Sequence, residues 1–209
     1  MTVSRVGWVT AFLIYAHKSL NSPINSSWEK LLVDSSRRYP KELETYATIR
    51  DGTRIFFRPI KPSDEPLMRK LFYSFSEESI YYRFFSVLKD MTYEQLQHYV
   101  NVDYEEKMAI VAIAKEKGSE RLVAVGRYAL TPASNMAEFA VIVQDSWQNR
   151  GIGTFLLEYL VQIAKKRGIR GFTAEVMTDN TRMLHVLEKS GYAMEKKRLN
   201  NTYQVTLKF

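Results

Sequence analysis

The 209-residue chain has no cysteine, so disulfides, thiolate metal sites and an acyl-cysteine intermediate are all excluded. It has three histidines, His17, His98 and His185, whose spacing suits no shared metal ion, and no metal is expected. Long hydrophobic runs are missing too. The apolar stretch Trp8 to Ala16 is too short to span a bilayer, has only Arg5 ahead of it and lacks a small-residue cleavage site. Neither a membrane anchor nor a secretory leader is therefore expected, and the expected location is cytoplasmic. No helix-turn-helix, zinc-finger or aromatic RNA-binding signature accompanies the net charge of +7, which argues against nucleic acid as partner. No internal repeat or low-complexity run is present.

What is there suits one substantial core. With 45% hydrophobic residues the chain can bury a single main domain and is short for two. The positive charge is lopsided: residues 148–209 carry eleven Lys or Arg against five Asp or Glu, six of the seven net charges. Arg150, Lys165, Lys166, Arg167, Arg170 and Arg182 could steer a polyanion. Lys165 to Arg167 equally suit the last turn of a helix, where cations offset the macrodipole.

Residues 1–46 read as an amino-terminal extension, with Trp8 to Ala16 suited to a short docking helix, and residues 47–209 as the main domain. Thr53 to Ile60 alternates as a first strand. Ser63 then caps a helix with Asp64 and Glu65 in its first turn, another helix starts after Ser76, and Thr92 with Gln95 has capping-box spacing for a third. Met108 to Ala114 and Arg121 to Leu130 read as antiparallel strands joined at Lys117-Gly118-Ser119. Ala137 to Val143 is a further strand. The helix after it sets Ile152, Phe155, Leu156, Tyr159, Leu160 and Ile163 on one stripe and ends at Gly168. Phe172 to Met177 is a strand, a helix opens at Asp179 or Asn180, and Tyr192 to Arg198 with Thr202 to Lys208 form a hairpin around Asn200-Asn201. This is the alternation of a mixed α/β domain.

The most informative segment is Gln148-Asn149-Arg150-Gly151-Ile152-Gly153-Thr154, between a strand and a helix. Two glycines let the backbone approach a ligand, and the first N–H groups of the helix lack intrahelical partners, with the positive end of the dipole behind them. An anion belongs there. The order is neither the G-x-x-x-x-G-K-S/T of a P-loop nor the G-x-G-x-x-G of a dinucleotide fold. Gln/Arg-x-x-Gly-x-Gly/Ala after a strand closely resembles the signature of the GNAT superfamily of acetyl-CoA-dependent N-acetyltransferases. The order of elements from Thr48 to Phe209 is similar to that fold, a mainly antiparallel sheet flanked by helices.

The resemblance implies acetyl-CoA as cosubstrate and an amine as acceptor. Gln148 and the backbone from Asn149 to Thr154 would hold the pyrophosphate, Val141, Ile142 and Val143 would offer backbone groups to the pantetheine arm, and Asn180 would lie beside that arm, although helix capping explains it equally well. Asp51-Gly52-Thr53, Arg58-Pro59-Ile60 and Ser76 to Phe85 resemble the acetyltransferase domain of bacterial protein lysine acetyltransferases. That narrows the acceptor to a protein lysine, with a small-molecule amine acetyltransferase and a non-catalytic acyl-CoA sensor as alternatives. A homodimer is left open.

An amine attacks a thioester only when unprotonated, and lysine has a reference pKa of about 10.4, so a base is required. Glu138 shares a strand face with Ala140 and Ile142, and its apolar neighbours Ala137 and Phe139 should raise its pKa. By resemblance this position carries the base, and Glu175 is the reserve. Backbone N–H groups near Ile142 and Val143 could stabilise the oxyanion. Many GNAT enzymes place a Tyr general acid where this chain has Leu187, which leaves Tyr82, Tyr192, water or unassisted departure for the thiolate.

Overall fold

The computed structural model describes residues 38–116, 118–131 and 134–209, and the expectation of a docking helix in Trp8 to Ala16 lies outside them. Among the described residues the strands are β1 (Thr45–Thr48), β2 (Arg54–Pro59), β3 (Lys107–Glu116), β4 (Ser119–Thr131), β5 (Met136–Val143), β6 (Gly171–Met177), β7 (Ala193–Leu199) and β8 (Thr202–Lys208). The helices are α1 (Glu65–Phe72), α2 (Glu77–Phe84), α3 (Tyr93–Val100), α4 (Ile152–Lys166) and α5 (Thr181–Glu188). The strands form one sheet in the order β1-β2-β3-β4-β5-β6-β8-β7. Every pairing is antiparallel except β5 with β6. The expected mixed α/β fold is therefore present.

Local signals explain most boundaries. The Ser76 hydroxyl accepts from the Ser79 N–H at 3.2 Å and starts α2. Thr92 and Gln95 form the reciprocal capping box of α3, at 3.2 and 2.8 Å. Gly168, at φ 74°, follows α4 in the left-handed region that a side chain would resist. β7 and β8 turn at Asn200, φ 55°, with Leu199 opposite Thr202. The strand missed by sequence reasoning is β1, where Thr-Tyr-Ala-Thr has little apolar alternation and sits at the sheet edge. Residues 39–209 form a single compact unit, in which the Tyr39 hydroxyl donates to Glu44 at 2.8 Å and its ring meets Tyr104 edge-on.

Period-two alternation divides the core between the two faces of the sheet. Phe57, Tyr128, Phe139 and Phe172 pack with Leu156 and Leu160 of α4. Leu71 and Phe72 of α1, Phe84 of α2 and Leu96 of α3 pack on Val111, Val125 and Ile142. Each such side chain, fully buried, contributes roughly 1.5–3 kcal/mol. Gly126 lets α4 close on β4, since a Cβ there would stand 3.1 Å from Leu160 and 3.2 Å from Leu156. Beneath α1, Arg58 and Asp64 form a buried two-pronged ion pair, with N–O distances of 2.7 and 2.6 Å. Among the described residues no helix is long and apolar enough to cross a membrane.

Candidate active site

β5 and β6 start as neighbours and then part. Their register contains only Ala137↔Phe172 and Glu138↔Thr173, whereas β5 stays paired with β4 along its whole length. The sheet thus forks immediately beyond Glu138. The Gln144 N–H donates to the Val123 carbonyl at 2.8 Å, which fixes the hydrogen-bonding phase of the β4–β5 ladder. In an antiparallel pair that phase alternates, so Ile142, Ala140 and Glu138 exchange backbone bonds with β4. Phe139, Val141 and Val143 therefore turn their N–H and C=O groups away from β4; the Phe139 N–H still meets β6 at the last pair, and beyond it Val141 and the Val143 N–H face the opening. Of the three residues expected beside the pantetheine arm, Val141 and Val143 have backbone groups facing the fork, while those of Ile142 are used by β4.

The same parity orients the side chains. Ala140 and Ile142 face α1 to α3, and Glu138, two residues earlier, shares that face at the point of the fork. Glu175 also lies on it, displaced up β6, exposed and accepting from the Thr202 hydroxyl at 3.0 Å. Leu187 is 1% exposed inside the opposite core.

At the open end of β5, Gln144 leads into a short 3-10 turn, Asp145–Trp147, and then into the predicted cradle. Asn149 and Gly151 take φ values of 61° and 90°, which fold the backbone tightly before α4. Among the described residues no acceptor engages the N–H groups of Ile152, Gly153 and Thr154. A Cβ on Gly153 would find only Val143 Cγ2, at 3.9 Å, so its surroundings on that side are open.

The Gln148 side chain braces this bend. Its amide nitrogen donates to Ser79 Oγ at 3.0 Å and to the Val143 carbonyl at 3.1 Å, and its oxygen accepts from Arg182 Nη1 at 2.6 Å. It thereby ties β5, α2 and α5 together. Asp145 completes the brace, accepting from the Ser76 N–H and hydroxyl and from the Ser79 hydroxyl at 2.6–2.9 Å. Burial pushes the Asp145 carboxyl up, but the bonds from Ser76 and Ser79 outweigh it and hold the group below the usual carboxylate range.

The cations are distributed unevenly. Arg150 pairs with Asp51 at 3.0 Å and lies over the Trp147 ring, so its charge is partly neutralised. Arg50, missed by sequence reasoning, has its side chain against Gly151, where a Cβ would stand 3.3 Å from Arg50 Cγ. Its signal was positional, beside the Asp51-Gly52 turn. Lys165, Lys166 and Arg167 lie at the other end of α4, about 22 Å away for 15 residues. There Arg167 donates to the Tyr128 hydroxyl at 2.9 Å and Lys165 covers Tyr192. They stabilise the helix end.

That placement also separates the two candidate phenols. Tyr192 packs on Phe209 and Lys165 at the far end of α4. Tyr82 lies within electrostatic range of Asp179, Glu78 and Arg182 beside the cradle. Burial, then those two carboxylates, raise its pKa and keep it protonated. Asn180 caps α5, its oxygen accepting from the Met183 N–H at 3.1 Å.

Residues 71–192 match the acetyltransferase (GNAT) family. The chain belongs to that family. It is 29% identical over 120 residues to acetyltransferase PA5475 of Pseudomonas aeruginosa, covering 57% of this chain and 64% of that protein. It is 34% identical over 147 residues to acetyltransferase Pat of Mycolicibacterium smegmatis, covering 68% of this chain and 42% of the relative. The chain thus spans less than two thirds of the length of either. The crystal structure of the GNAT domain of S. lividans PAT superposes with a TM-score of 0.74 at 28% identity, covering 82% of this chain and 100% of that one.

Proposed function

We infer that the protein is an acetyl-CoA-dependent N-acetyltransferase that passes an acetyl group directly to a primary amine, with a protein lysine as acceptor. One observation carries this reading: the fork between β5 and β6 begins at Glu138 and ends at a helix start whose N–H groups no described residue engages. The residues present fit the cosubstrate. The backbone of Asn149 to Thr154 would hold the pyrophosphate, with Arg50 nearby, and the strand-edge groups of Val141 would hold the pantetheine arm. Bound there, acetyl-CoA supplies an activated thioester.

Glu138 takes the proton from the acceptor ammonium, directly or through one water, and so frees the nitrogen lone pair. The fork-facing N–H of Val143 offsets the negative charge that grows on the carbonyl oxygen, which leaves the N–H and C=O of Val141 for the pantetheine arm. Tyr82, held in its protonated form, is the phenol available to return a proton to the departing sulfur. The absence of cysteine leaves no thiol to carry the acyl group, in keeping with direct transfer. The lysine assignment is supported by the resemblance of residues 51–60 and 76–85 to bacterial protein lysine acetyltransferases and by the relationship to acetyltransferase Pat.

The test is thiol release from acetyl-CoA with a panel of lysine peptides, polyamines and aminoglycosides, with acceptor masses read alongside. Acetylated lysine peptides are expected. Turnover of small amines alone would move the protein to the small-molecule class. Binding of acetyl-CoA without turnover of any amine would make it a sensor.

A further inference from the structure

The face of the sheet that carries Glu138 holds a second feature. Between that face and the helices lies a mainly apolar hollow whose lining includes Phe72, Phe84, Tyr99 and Ala140, together with Arg83 and Arg127. Arg127 is half-buried with its guanidinium 4.8 Å from the centre of the Tyr99 ring, and Arg83 stands 5.1 Å from that of Phe84. Among the described residues no carboxylate pairs with either one. Burial, opposed by Tyr99 and reinforced by Arg83, lowers the Arg127 pKa to about 10, which leaves it charged at neutral pH. Two neighbouring cations lie in an aromatic recess, and among the described residues ring faces and the diagonal neighbour Glu138 stand nearest to offset Arg127, so a further anion would be favoured there.

We propose that Arg127 and Arg83 form a carboxylate-recognition site on the acceptor side, selecting lysines that have a Glu or Asp two positions away. This rests on the function proposed above and specifies its substrate. The spacing follows from the register. Arg127 lies opposite Ala140 and Ala129 opposite Glu138, so Arg127 and Glu138 are diagonal neighbours on one face, about 7–8 Å apart. In an extended peptide, side chains two positions apart share a face and stand about 7 Å apart, while the intervening one points away. A lysine nitrogen at Glu138 therefore sets a carboxylate two residues along against Arg127. The planar fork of guanidinium matches carboxylate geometry, and the aromatic walls exclude water from the pair.

The experiment uses three peptides with a single lysine, identical except for Glu two positions away, Gln at that position, or Glu moved to the adjacent position. The wild-type protein is expected to favour the first by about tenfold or more in kcat/KM, the scale of one charge-assisted hydrogen bond. Arg127→Gln should erase that preference by slowing the first peptide alone, and Arg83→Gln should reduce it. Thermal melting of both variants checks folding, and either one suffices if the other fails to fold. Equal use of all three peptides by the wild type, or a preference that survives in every folded variant, would overturn the proposal. So would equal slowing of all peptides with a displaced pH profile, which would mean that Arg127 acts through Glu138. If no peptide is acetylated although acetyl-CoA binds, the functional reading fails by itself. The same peptides then go to calorimetric binding, where an Arg127-dependent preference for the first upholds the carboxylate site and its absence ends it.

Discussion

Replacing Glu138 with Gln isolates the proton-transfer step. The substitution keeps the size of the side chain and leaves the backbone pairings to Ala129 and Thr173 untouched, so folding and cosubstrate affinity should persist. Near neutral pH a free lysine is about three pH units below its reference value of about 10.4, so roughly one molecule in a thousand is neutral. At about 1.36 kcal/mol per unit, protonation holds back attack by about 4 kcal/mol. A positioned base recovers much of this, with typical contributions of about 10²–10⁴-fold. The Gln variant should therefore lose about 10²–10³-fold in kcat near neutral pH. The deficit should shrink about tenfold for each pH unit towards 10, as solvent deprotonates the amine unaided. Thiol release across that range gives the profile, calorimetry with acetyl-CoA gives the affinity, and thermal melting verifies the fold. A variant within about threefold of wild type near neutral pH, or a deficit that does not change with pH, would show that Glu138 is not the base.

Asp64→Ala should cost about 3–5 kcal/mol in urea denaturation, because Arg58 stays buried beside a vacated partner; a loss below about 1 kcal/mol would place the pair with surface ion pairs. Gly171→Ala should destabilise by about 3 kcal/mol by the same assay, since a Cβ would fall 2.2 Å from the Leu207 carbonyl oxygen and force β6 from β8; a neutral result would contradict the strand register. The lowered pKa of Asp145 means that its stabilising contribution is fully present above the unfolded carboxylate value of about 3.9 and is lost as pH falls through the lower folded value. Hydrogen exchange of the α2 amides should accordingly stay protected at mildly acidic pH and fail only in strong acid. Gly153→Ala should leave stability unchanged or slightly raised, since its added methyl meets nothing closer than 3.9 Å. It should nevertheless weaken acetyl-CoA binding in calorimetry, because the methyl occupies space at the helix start that a pyrophosphate would need; unaltered affinity would move the anion elsewhere.

Most of the fold was legible because its signals are local. The strand pattern from Thr202 to Lys208, the capping box at Thr92 and Gln95, and the glycine stop at 168 each reflect neighbours in sequence, and each element stands where those signals put it. β1 was not legible, since an edge strand of half-exposed Thr, Tyr and Ala has little reason to alternate. For the candidate site the sequence offers chemistry without geometry. Glycines at 151 and 153 suit the proposed anion cradle, but nothing near Gln148 reveals that its amide would be used up by Ser79, Val143 and Arg182. Arg127 was hidden for a related reason: in a strand it reads as one polar residue in an alternation, and only the packing of α2 and α3 brings Arg83 and Tyr99 to it.

β5 shows most directly where such reading stops. Its side-chain alternation, visible in the sequence, sends Phe139 to one core and Ile142 to the other. Its backbone alternation is a second pattern, set by which residue first bonds to β4, and the Gln144 to Val123 bond fixes it. The two coincide so that residues whose side chains face α4 are those whose peptide groups face the fork. One strand can therefore place the Glu138 carboxylate on the α1 to α3 face and the N–H groups of Val141 and Val143 in the fork, the arrangement that the proposed chemistry needs. A shift of one residue in the β4–β5 register would reverse both assignments together, leaving Glu138 in the core beside α4 and the backbone of Ile142 in the opening. The chemistry proposed for this site thus depends on the register of that pairing as much as on which residues the strand contains.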